Sequence, residues 1–271
     1  MLRKGDLTQG GITGTLLHFT LPMMVGSFLQ QCYNIADTLI VGQCIGAGAL
    51  AAVGSAYTLM VFLISVLLGL AMGSGTVFSL HYGAGNHVAL RRSIFSSFVL
   101  IGIVTLILNV AVFIWLDPIL RLLQVPQDIY GMMRSYLWII FCGIVFTFLY
   151  NFYASLLRAV GDSVTPLWVL AVSVGLNIAL ELFFILQLDW GIQGAAAATV
   201  LAQGVAALGI IIYTYRRRPE LRWHHEDMCF DRTCLKEIAS FSTLTCVQQS
   251  VMNLGILMVQ ALVNSFGTAV M

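Results

Sequence analysis

Asp37, Asn177 and Glu181 are the residues whose chemistry least matches their surroundings. Asp37 is the one formal charge in a stretch from about Thr13 to Gly42 that otherwise reads as a membrane-spanning helix. Glu181 repeats the anomaly inside the apolar run LNIALELFFI. A carboxylate in hydrocarbon costs roughly 2.5–3.5 kcal/mol on insertion scales, so it is rarely kept without a task. With only 12 acidic residues in the chain, two such placements point to a cation or proton site buried in a helical bundle. Asn177 precedes Glu181 by one helical turn, which puts both on one helix face.

The composition requires elements that can carry such groups through a membrane. Hydrophobic residues make up 59% of the 271, charged residues 9%, and mean hydropathy is +0.92. A soluble domain would carry about 25% charged residues. The net charge of +1 gives no footprint for a nucleic-acid partner. Met1 to Gln9 is polar, and the first apolar run has no signal-peptide pattern. Of the six cysteines, Cys32, Cys44, Cys142 and Cys246 lie in apolar spans, where a thiol behaves as a small hydrophobe. Cys229 and Cys234 do not have a zinc spacing, and no disulfide framework is implied.

The stretches 38–90, 93–116, 135–157, 163–180, 190–215 and 238–271 are free of Asp, Glu, Lys and Arg. At about 20 apolar residues per crossing, they predict an all-α polytopic membrane protein. The expected spans are roughly 14–42, 50–78, 93–116, 131–154, 164–188, 191–215 and 237–266, with a Gly-rich turn from Gly42 to Gly48. With the N-terminus inside, Arg3, Lys4, Arg91, Arg92, Arg158, Arg216, Arg217, Arg218, Arg222, Arg232 and Lys236 all face the cytoplasm, leaving only Arg121 and Arg134 outside. That bias predicts a cytoplasmic N-terminus in a multi-pass cell-membrane protein. Asp37, Asn177, Glu181 and Thr199 then all fall in the outer half of the bilayer, spread over about 10 Å of depth.

The sequence resembles the multidrug and toxic compound extrusion (MATE) family. The matching pieces are LPMMVGSFLQQCYNIADTLIVG in the first span, ALAAVG, YGAGN, LLRAVGDSVTP, the Asn177/Glu181 pair in LNIALELFFI, and GIQGAAAATVLAQ in the sixth span. They keep the family's order along the whole chain. The resemblance implies a twelve-helix transporter of two six-helix lobes, of which this chain is half. On that reading residues 1–215 are the N-terminal six-helix transmembrane lobe, 216–236 the cytoplasmic inter-lobe loop, and 237–271 one additional helix, the first of a truncated C-terminal lobe. Laid on the first span, that helix has Val259 in place of Asp37 and Leu244 in place of Pro22.

The resemblance also implies roles. Asp37, Asn177, Glu181 and Thr199, with the backbone carbonyl of Ala195, correspond to a first-lobe cation site. Glu181 stands where many members carry Asp. Pro22 matches the family's helix-bending proline. Carboxylate, amide, hydroxyl and carbonyl oxygens are hard ligands suited to Na⁺, and the same group could take protons instead. Either ion would relieve the repulsion between two acids, and Pro22, by removing a helical hydrogen bond, makes a bend in the first span less costly. The implied function is Na⁺- or H⁺-coupled export of organic, often cationic, compounds. The implied partners are membrane lipid, small-molecule substrates and the missing C-terminal lobe, with no cofactor beyond the coupling ion.

Other readings compete. A lipid-linked saccharide flippase of the same superfamily would be expected to carry several basic residues in its spans; spans one to three and five to seven have none in their interiors. An intramembrane enzyme would need a catalytic pair, and His18, the one histidine well inside a span, has no serine motif beside it. An inactive truncated lobe is the third reading. His224, His225, Glu226 and Asp227 read as a solvated loop, and Arg216 to Arg218 as an anchor near anionic lipid. Gly69, Gly73 and Gly75, and Gly191 with Gly194, read as close helix contacts. Tyr33, Phe146, Phe148, Tyr150 and Phe152 read mostly as lipid-facing or packing residues.

Overall fold

The computed structural model describes residues 12–122, 125, 127–222 and 232–265. These form α1 (Ile12–Cys44), α2 (Ala47–Gly83), α3 (His87–Leu122), α4 (Gln127–Cys142), α5 (Ile144–Ala159), α6 (Val164–Leu186), α7 (Gly191–Arg217), a short 3₁₀ turn at Pro219–Leu221, and α8 (Arg232–Ser265). The protein is an all-α polytopic membrane protein. Among the described residues α2, α3, α6 and α7 are each long and apolar enough to cross a membrane, and α4 with α5 makes a fifth crossing bent by 47°. α1 and α8 have the length but are more polar: Gln30, Gln31, Asn34 and Asp37 interrupt one, Gln248, Gln249 and Asn253 the other. The polar loop motif His224 to Asp227 lies outside the described residues.

The expected fourth span is not one straight helix; it breaks at Gly143. A Cβ there would stand 2.5 Å from a methyl of Val200 on α7, so only glycine allows this approach. The break puts the Phe141 carbonyl at a helix end, and Asn109 of α3 donates to it from 2.7 Å. In hydrocarbon such a carbonyl must find an internal donor. The boundary between α1 and α2 shrinks to Ile45 and Gly46, the latter at φ +111°.

Lipid is as apolar as leucine, so helices associate by close packing and interhelical hydrogen bonds. α7 supplies small residues for this: Gly194, Ala195, Ala196, Ala198, Ala202, Ala206 and Ala207 are all buried. It packs chiefly on α6, α5 and α4. On the other side of α5, α2 holds α3 and α8. Leu67, Phe78, Ile94, Ile101, Leu116, Leu137, Phe148 and Phe152 belong to one buried cluster spanning α2 to α5. Phe148 and Phe152 are therefore packing residues of the core, with Phe98 tilted against the first and edge-on to the second.

α8 lies chiefly along α2. A Cβ on Gly69 would meet the backbone of Cys246 at 2.8 Å, and one on Gly73 would strike the backbone of Ser242. Ser242 donates to the Leu70 carbonyl at 3.3 Å. Gly75 makes the third such contact, on Ser155 of α5, whose hydroxyl donates to the Ala71 carbonyl at 2.7 Å. Gly194 sits close against Phe184 and Trp190, whereas Gly191 has open space around it. Gly191 instead takes a left-handed conformation at φ +52°, so its role is a turn and not a helix contact.

Candidate functional site

α6 is apolar almost throughout, yet its buried residues are Pro166, Val174, Asn177, Glu181 and Ile185. Its polar pair thus faces inward with Val174 and Ile185, while most of its apolar residues face outward. Asn177 is 2% exposed and Glu181 0%. α1 packs on α6 and brings the half-buried Asp37 against them. The Asp37 and Glu181 carboxyl groups lie within electrostatic reach of one another. α7 completes the group with Ala195 and Thr199.

The hydrogen bonds fix which atoms remain available. The Thr199 hydroxyl donates to the Ala195 carbonyl at 3.1 Å. Having spent its one proton, it accepts from Asn177 Nδ2 at 3.3 Å and from the Tyr33 hydroxyl at 3.5 Å. That arrangement uses the donor side of the Asn177 amide and leaves its oxygen free. Among the described residues, Asn177 Oδ1 and both Glu181 oxygens are buried without a hydrogen-bond partner. A buried acceptor left bare costs about 1–3 kcal/mol. Three of them together, beside a second carboxylate, form a set of acceptors suited to a positive centre.

The residues expected from sequence therefore come together: Asp37, Asn177, Glu181, Thr199 and Ala195. Pro22 lies on α1 well before Asp37, and α1 is one continuous helix through it. Tyr33 was expected to face lipid or pack; it instead turns inward to Thr199. Its signal was present, since it stands one helical turn before Asp37 on the same face. Tyr136 of α4, 5% exposed, also lies within the electrostatic reach of Asp37, Tyr33 and Glu181. Nothing in the sequence ties it to the acids, which lie on other helices. Among the described residues no three His, Cys, Asp or Glu side chains converge, so the chemistry is that of two acids and neutral oxygens.

Comparison with known proteins agrees with this architecture. The MatE family model matches residues 22–183. The "Probable multidrug resistance protein YpnP" of Bacillus subtilis (strain 168) is 32% identical over 98% of this chain and 59% of its own length. The "Multidrug export protein MepA" of Staphylococcus haemolyticus (strain JCSC1435) is 28% identical over 85% of this chain and 51% of its own. A solved structure described as the outward-facing conformation of a multidrug resistance MATE family transporter of the MOP superfamily superposes with a TM-score of 0.88 at 24% identity. That match covers 95% of this chain and 57% of the other. The chain thus spans between half and six tenths of the proteins it matches.

Proposed function

We propose that this chain, which belongs to the multidrug and toxic compound extrusion (MATE) family, forms the first half of a cation-coupled exporter of organic compounds. Residues 1–215 are the six-helix lobe, 216–236 the cytoplasmic link, and 237–271 the first helix of a second lobe; the observed helix begins earlier, at Arg232. The N-terminus is cytoplasmic, by the distribution of Arg and Lys.

The observation that carries the reading is the trio of buried oxygens, Asn177 Oδ1 and Glu181 Oε1 and Oε2, beside Asp37. A bound Na⁺ can be coordinated by all three, and a bound H⁺, carried on one carboxyl oxygen, leaves an O–H that one of the others can accept; either relieves the repulsion between the acids. The chain's own residues divide the work. Glu181 and Asp37 supply charge from two helices, Asn177 a neutral oxygen, and Thr199 orients the Asn177 amide. With the ion gone, two like charges in a low-dielectric interior push α1 away from α6. Pro22 lacks the amide proton that would resist bending of α1. Movement of α1 changes the lobe interior where an organic substrate is held, which couples ion entry to substrate release.

Transport by the protein in proteoliposomes under a Na⁺ or a pH gradient tests this. The coupling ion drives substrate movement in wild type, and Asp37→Asn and Glu181→Gln each lower the driven rate more than tenfold. Undiminished coupling in both variants would contradict the reading. A lipid-linked saccharide flippase finds no support in these buried acids, which would repel a phosphate.

A further inference from the structure

α2 meets α8 along a seam of α2 residues spaced four apart. Gly69 lies against Cys246, Gly73 against Ser242, and Val77 clusters with Cys234 and Ile238. The next residue of that stripe toward the cytoplasm is His81, whose Nε2 stands 3.5 Å from Glu237 Oε2. We propose that His81 and Glu237 form a proton-operated latch: a charged imidazole fastens the cytoplasmic end of α8 to the six-helix lobe, and a neutral one releases it. The latch rests on the reading of α8 as the first helix of a second lobe.

The deeper part of the seam has little to switch. Gly69 and Gly73 bring the two backbones together, and the Ser242 hydroxyl donates to the Leu70 carbonyl at 3.3 Å. These contacts carry no charge. At the rim the contact is of another kind. His81 Nε2 is enclosed, and among the described residues it has no hydrogen bond. At 3.5 Å, beyond the usual N–H···O distance, a neutral ring gains little from Glu237, whereas an imidazolium feels the opposite charge directly. Histidine is the side chain whose ordinary titration falls between about pH 5 and 8. The attraction is therefore present on the acid side of that range and lost as pH rises through it.

The surroundings leave His81 a single partner. Near the pair α8 also carries Arg232, Cys234 and Lys236, and α3 carries His87, Arg91 and Arg92. α5 ends in Arg158, and the described part of α1 has only His18 in its cytoplasmic half. The charges of α4, Asp128 and Arg134, lie toward its opposite end. Among the described residues Glu237 is thus the one carboxylate on the cytoplasmic ends of α2, α3 and α8. The two side chains are 20% and 46% exposed, so water screens the pair. The bias it exerts is about twofold to fivefold in the ratio of closed to open. An exporter loads from the cytoplasm, and the start of α8 must leave α2 for a second lobe to part from the first on that side. A fall in cytoplasmic pH then holds the loading side closed.

Amide hydrogen exchange at the start of α8, residues 232–240, tests the latch in the full chain in lipid nanodiscs. It is measured at about pH 5.5 and about pH 8, on either side of the histidine titration, and corrected for the intrinsic effect of pH on exchange. Wild type is expected to be about twofold to fivefold better protected at the lower pH. The difference is expected to vanish in His81→Gln and in Glu237→Gln, and to persist in His87→Gln. His81→Lys, charged at both values, is expected to show the stronger protection at both. Equal protection of wild type at the two values would overturn the latch. So would a difference that survives in both His81→Gln and Glu237→Gln, or one abolished by His87→Gln alone. The readout requires no transport, so its failure leaves the exporter reading standing, and a failure of coupled transport leaves the measured latch in place.

Discussion

Glu181 is fully buried, and a carboxylate placed there costs the fold unless a cation or proton meets it. Replacing it with glutamine removes the charge and adds an amide donor facing Asp37. Glu181→Gln is therefore expected to raise thermal stability by about 1 kcal/mol while abolishing coupled transport; thermal melts paired with transport assays check both halves. A purely structural glutamate would show the opposite pattern. Tyr33→Phe removes one donor to Thr199 at a cost of about 0.5–1.5 kcal/mol, which loosens the Thr199–Asn177 arrangement. Ion affinity measured by titration should fall about twofold to tenfold. Asp37, Asn177 and Glu181 were legible in the sequence because polar groups in an apolar run need a reason. Tyr33 could have been found from its place one turn before Asp37, but Tyr136 could not, because an aromatic ring looks the same in sequence whether it meets lipid, core or a polar group.

The existence of the helices was legible, since runs free of charge map onto rods that must satisfy their backbones internally, but α3 extends six residues beyond the expected 93–116 at each end. The break at Gly143 was hidden, because it depends on how closely Val200 of a distant helix approaches. Gly143→Val is expected to force α4 and α5 away from α7, at about 1–3 kcal/mol for overpacking, and to lower the melting temperature. Gly73→Leu acts differently: the obstruction is the Ser242 backbone, which has no rotamer to yield. It should separate α8 from α2 with little effect on the lobe. A disulfide cross-link engineered between α2 and α8 would report this as lost cross-linking while the melt stays near wild type. The sequence marked Gly69 and Gly73 as contact points but not their partner.

For the molecule as a whole, the helical bundle superposes on a MATE transporter structure, although the chain spans only 57% of it. The proposed orientation would put eleven of the thirteen basic residues on the cytoplasmic side. Reporter fusions should place the Arg216–Arg218 end of α7 in the cytoplasm and the Asp189 turn outside. The reverse arrangement would put both carboxylates in the inner half of the bilayer and require ion entry from the other side. At this scale the sequence carried the fold through its ordered motifs. The convergence of α1, α6 and α7 on one pocket appeared only when the helices were packed.

The account stands on Asp37 and Glu181 holding one small cation between them. Its most direct test is the number of cations bound per chain by the purified protein, measured as radiolabelled Na⁺ retained and as protons released on raising pH. One ion of either kind in wild type, lost in both Asp37→Asn and Glu181→Gln, is the predicted result. The same binding in wild type and both variants would contradict it.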